Sequence, residues 1–198
     1  PAIPAHKSTM GDLVLAKAMT YLYVRELHPP NGNRSPEIDS WLKYIGLPPG
    51  LSYCITFDIY CWGKTYEELG KKCPVPKIGR VSTFLQTVKK DKYAYTVYTP
   101  KQIELGIATI KPGDIICWSE RKTPTSNKNY TWSGHGEMCK VQTKPTQVKT
   151  IGANTTNSND PATQREQTKS GPIGGVFEKT RNLGASESFN PEGIVHVN

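Results

Sequence analysis

The amino-acid pattern predicts an α+β fold, with helices in the first part of the chain and an antiparallel sheet of about five strands in the rest. Apolar residues recur at helical spacing through the N-terminal third, whereas short apolar or alternating runs bounded by turn residues follow from Ile110 onward. With 198 residues the chain can bury one sizeable core, and a single domain spanning residues 1–198, its core about 12–182, is expected.

Leu13, Leu15, Ala16, Met19, Tyr21, Leu22 and Tyr23 predict a first helix over residues 12–27, started by Gly11 and Asp12 and stopped by His28-Pro29-Pro30. Ser35-Pro36-Glu37 is an N-cap followed by proline at the first helical position. Ile38, Trp41, Leu42 and Ile45 form the apolar face of this second helix, and Gly46 closes it. Pro48, Pro49 and Gly50 forbid regular structure, after which Ile55, Phe57, Ile59, Tyr60 and Trp62 predict a buried helix from Cys54 to about Trp62.

Residues 82–89 suggest a short helix, and residues 93–99 a strand or extended loop. Lys111-Pro112-Gly113-Asp114 is a turn into a strand at 115–118, and further strands are expected near 134–141, 147–152, 175–179 and 193–197. The polar runs 120–130 and 155–172 read as loops.

A formal charge of +8 implies an acidic partner, such as nucleic acid, anionic lipid or bacterial cell wall. The lysines are scattered in pairs (Lys71-Lys72, Lys89-Lys90) with no arginine-rich helix or aromatic RNA-binding motif, so no nucleic-acid partner is expected. Membrane insertion is not expected either, and no signal peptide is visible in residues 1–10. Cysteines 54, 61, 73, 117 and 139 make an odd set without a Cys-x-x-Cys, so neither a disulfide scaffold nor a zinc site is expected. Pairing of Cys61 with Cys73 is left open.

Cys54 falls where a loop turns into a helix, and free backbone N–H groups and the positive end of the helix dipole there favour thiolate over thiol. Cysteine hydrolases also need an imidazole and a polar group that orients it. Gly134-His135-Gly136 puts a histidine in a strand between residues that leave its ring accessible, and Asn154 ends the next strand. His6, His28 and His196 lie near a terminus or in a proline-bounded turn, which leaves His135 as the best-placed base. Trp62, Trp118, Tyr130 and Trp132 are aromatic candidates for a groove, Trp118 reading as core and Trp132 standing evenly between core and substrate contact because its loop is polar.

Several blocks together resemble CHAP-like and NlpC-type peptidoglycan hydrolases: residues 18–26, Asn33-Arg34-Ser35-Pro36-Glu37-Ile38-Asp39, Gly50-Leu51-Ser52-Tyr53-Cys54 with Phe57, Lys111-Pro112-Gly113-Asp114-Ile115, Gly134-His135-Gly136, Gly152-Ala153-Asn154-Thr155 and residues 175–181. The resemblance spans about Leu13 to Arg181 and implies a papain-like fold, with helices carrying the cysteine packed on a sheet carrying the histidine. It implies cleavage of a peptidoglycan amide, either N-acetylmuramoyl-L-alanine or a bond in the stem or cross-bridge peptide, through a covalent acyl-enzyme and without a cofactor or metal. Cys54 then matches the nucleophile, His135 the base and Asn154 the orienting group; Tyr53, beside the nucleophile, and Trp132, an aromatic in a polar loop, are the substrate-binding candidates.

The implied site of action is secreted, periplasmic or at the cell wall, and a monomer is favoured. The chain departs from the family pattern at Tyr53, where many relatives carry tryptophan, at Ile55-Thr56, at Asp58 and at Gly152, where some relatives place a glutamate. Alternatives are a non-catalytic wall-binding module on the same fold, or a cysteine amidase or acyltransferase with another substrate. The latter includes an antibacterial effector, which would need an immunity protein.

Overall fold

Side-chain caps start the first two helices. Thr9 and Asp12 form a reciprocal capping box for α1 (Met10–Met19), and Ser35 accepts from the Ile38 N–H to start α2 (Pro36–Tyr44) with Pro36 in the first turn. α2 ends in a Schellman turn: the Gly46 N–H bonds Lys43 O, the Leu47 N–H bonds Leu42 O, and Gly46 takes φ 82°. The computed structural model describes residues 8–27, 32–120, 134–156, 174–183 and 189–198.

The first helix stops at Met19, well short of the expected residue 27. Tyr23 adopts φ 68°, its N–H bonds Val176 O, and the Val176 N–H bonds Val24 O. The chain leaves the helix because an edge strand of the sheet offers backbone partners, and this pairing outweighs the local helical pattern.

α3 (Cys54–Glu68) runs past the expected Trp62 and buries ten of its residues. It lies between α1 and α2 on one side and the sheet on the other, so its apolar residues are not confined to one stripe. Phe57 is fully buried among Trp41 and Tyr21, and truncating such a side chain costs about 3–5 kcal/mol. α4 (Val81–Val88) covers the same face of the sheet.

Among the described residues the sheet has six antiparallel strands, β1 (Tyr95–Tyr98), β2 (Ile115–Glu120), β3 (Gly134–Lys144), β4 (Gln147–Thr155), β5 (Gly175–Asn182) and β6 (Phe189–Val197), in the order β1-β6-β2-β3-β4-β5. The α+β class matches the sequence-based expectation, and β1 is the strand beyond the five expected. Ile115, Cys117, Met138, Ile151 and Val195 face α3, while Ile116, Trp118, Cys139, Val148 and Ile194 form a second core on the other face. Ile103 of α5 (Pro100–Glu104) closes that second core, and α5 starts with a Thr99/Gln102 capping box and proline in the first turn.

Candidate active site

Cys54 opens α3, and no side chain caps that helix at Tyr53. The first-turn N–H groups are therefore left for the sulfur and for whatever binds beside it. The loop before it turns at Gly46 and Gly50, both at positive φ. Cys54 is 5% exposed, and the N–H groups of Gly136 and Ile55 reach its sulfur.

Strand β3 meets the helix at this point. Its ladder with β4 begins at Glu137↔Gly152, and Asn154, at φ 54°, turns the end of β4. The β3 residues before that first pair, His135 and Gly136, are those that meet Cys54. The glycines beside His135 were expected to keep its ring accessible; the structure shows them admitting the helices instead. A Cβ at Gly136 would stand 2.9 Å from Ile55 Cδ1, and one at Gly134 would stand 2.8 Å from Val81 Cβ.

His135 hydrogen-bonds the Cys54 sulfur, and its Nε2 lies 3.1 Å from Glu137 Oε1. Residues two apart on a strand share a face, so a His-x-Glu spacing brings ring and carboxylate together. Glu137 is fully buried and fully engaged: it accepts from Thr150 Oγ1 at 2.8 Å, from Arg181 Nε at 3.0 Å and from an Arg181 terminal nitrogen at 2.5 Å. The line Cys54, His135, Glu137, Arg181 thus alternates in sign.

Burial alone would push the Cys54 thiol up, but the His135 contact and the Gly136 and Ile55 N–H groups bring it below its ordinary value. For His135 burial works downward, and the contacts with Cys54 and Glu137 override it, pushing the imidazole up to about 10. Burial likewise opposes ionisation of Glu137, yet His135 and Arg181 hold it down to about 2. These contacts favour the thiolate, imidazolium and carboxylate forms of the three groups. By contrast, burial pushes the thiols of Cys61, Cys117 and Cys139 up, which makes them inert packing groups. All five cysteines, Cys61 and Cys73 included, are free.

Of the expected site residues, the structure brings Cys54 and His135 together. The contact expected of Asn154 belongs instead to Glu137: the Asn154 side-chain amide donates to the Ser52 hydroxyl, next to the nucleophile's loop. Tyr53, expected at the substrate, is fully buried against Trp41 and donates its hydroxyl to Glu26 at 3.0 Å, so it braces the Cys54 loop from behind. Trp132 and Tyr130 lie outside the described residues. Trp118 is core, and Trp62 is buried with its Nε1 donating to Gly113 O at 3.1 Å.

Among the described residues no three His, Cys, Asp or Glu side chains converge to hold a metal ion, and no helix is long and apolar enough to cross a membrane. Compared with known proteins, the chain matches no family model, no curated protein and no solved structure.

Proposed function

We propose that this chain is a cysteine hydrolase with a papain-like arrangement of helix and sheet, cleaving an amide bond in peptidoglycan. The observation that carries the reading is the contact of Cys54, at an uncapped helix N-terminus, with a histidine held by the buried Glu137.

In this mechanism the Cys54 thiolate attacks the amide carbonyl. The oxyanion forms against the Cys54 backbone N–H, with the Ser52 hydroxyl, oriented by Asn154, as second donor. With Nε2 committed to Glu137, Nδ1 of His135 carries the proton to the departing amine. Glu137, anchored by Arg181 and Thr150, fixes the ring and stabilises its charged form. Neutral His135 then takes a proton from water, which releases the acyl group and restores the thiolate.

Peptidoglycan is supported by the resemblance of the ordered blocks to CHAP-like and NlpC-type wall hydrolases, and by the +8 charge, which favours adsorption to an anionic wall in a salt-sensitive way. Digestion of purified peptidoglycan by wild type and Cys54→Ala, with the new termini identified by mass spectrometry, tests it. New amine and carboxyl termini from wild type alone are expected. Wall binding without cleavage by either protein would leave a binding module, and cleavage of other amides only would leave a hydrolase of different specificity.

A further inference from the structure

Asp58 sits one helical turn after Cys54 on α3 and has no part in the mechanism above. It is fully buried, and neither carboxyl oxygen has a hydrogen-bond partner among the described residues. Its Oδ2 lies 3.2 Å from where a Cβ would stand at Gly136, so the carboxyl presses on the strand that carries His135 and Glu137. The titratable groups that face it are Cys54 and Cys61 from α3, Cys117 from β2, and His135 and Glu137 from β3.

The charges around it decide its state. Glu137 is matched by Arg181 as well as by His135, which leaves the imidazolium with one further anion to face. Cys54 and Asp58 compete for that place. The sulfur is supported by two backbone N–H groups and by the ring, whereas the Asp58 oxygens receive no donor. A buried carboxylate without donors is far costlier to ionise than a thiol that has them. Burial and the neighbouring Cys54 push the Asp58 carboxyl well above its usual range.

We propose that Asp58 is a positioning residue that stays a neutral carboxylic acid in the resting site and so leaves the negative charge on the Cys54 sulfur. The inference rests on the Cys54–His135 reading above and adds where the second proton of the site is held. Loss of that proton at alkaline pH places another anion beside the imidazolium and tightens its hold on the proton that the leaving amine needs.

The test is thiolate absorbance and the pH profile of Cys54 alkylation by iodoacetamide, in wild type, Asp58→Asn and Cys54→Ala. Asparagine is uncharged at every pH. The variant is therefore expected to keep the wild-type thiolate absorbance at neutral pH and an acid inflection within about 0.3 pH unit of wild type, while its alkaline limb, left to His135 alone, moves to lower pH than in wild type. Gain of thiolate in the variant with an acid inflection lowered by about one unit or more would mean an ionised Asp58 and would overturn the proposal, as would unchanged alkaline limbs. Wild type with no more thiolate than Cys54→Ala would instead sink the Cys54–His135 reading.

Carbon-13 spectra of aspartate-labelled wild type give a readout that needs no folded variant. One carboxyl that stays protonated above neutral pH and responds to alkylation of Cys54 is expected, and absence of such a carboxyl overturns the proposal.

Discussion

Glu137 stands directly opposite Gly152 in the β3–β4 ladder, and a Cβ at Gly152 would lie 2.7 Å from Glu137 Oε1. The carboxylate that holds His135 fills space that any side chain at residue 152 would occupy. Gly152→Ala is therefore expected to displace Glu137 from His135 and to cost about 1–3 kcal/mol of stability through overpacking. Urea denaturation and peptidoglycan digestion read the two effects. Full activity in a stable Gly152→Ala protein would show that the Glu137 contact is not needed.

Glu137→Gln keeps the shape and removes the charge. It is expected to lower kcat by about a hundredfold or more, because the imidazolium loses its counter-ion and the ring its fixed tautomer. The cost in stability is about 1–3 kcal/mol, since the Arg181 side chain is 25% exposed and can hydrate when its partner is neutralised. Steady-state kinetics and chemical denaturation separate the two losses.

Asn154→Ala is expected to act far more weakly, with kcat reduced about tenfold or less. Its side chain donates to Ser52, so its removal costs one hydrogen bond, about 0.5–1.5 kcal/mol, and loosens only the second oxyanion donor. Asn154 also holds φ 54°, which alanine adopts less readily, so Asn154→Gly is the companion variant that separates backbone from side chain. A drop equal to that of Glu137→Gln would return the orienting role to Asn154.

These contrasts mark how far the sequence could be read. Cys54 was legible because prolines, glycine and an apolar run fix the start of α3 locally, and His135 because its glycine-flanked strand leaves few rivals. Glu137 carried a local sign as well, the two-residue spacing from His135 that puts both side chains on one face. Whether that face holds a buried carboxylate depends on Arg181 and Gly152, which come from other strands and meet Glu137 only through the sheet register. The early end of α1 is of the same kind, because the Tyr23 and Val24 backbone is drawn off by Val176, more than a hundred residues away.

The pH dependence of stability tests the charge assignment of the whole line. In wild type between 6.5 and 9.0, the ordinary values of the two groups, the folded state holds a proton on His135 that the unfolded chain lacks. The Cys54 thiol, brought below 9.0, gives up its proton more readily in the folded state than in the unfolded chain. The two oppose each other, so the pair adds less slope there than His135 would alone. On the acid side Glu137, held down from 4.5 to about 2, contributes stability that is present above 4.5 and lost as pH falls through about 2. Glu137→Gln lacks that loss. Urea midpoints across pH for the two proteins should therefore show wild type steeper than Glu137→Gln in acid. Parallel curves would mean that the line is not charged as described.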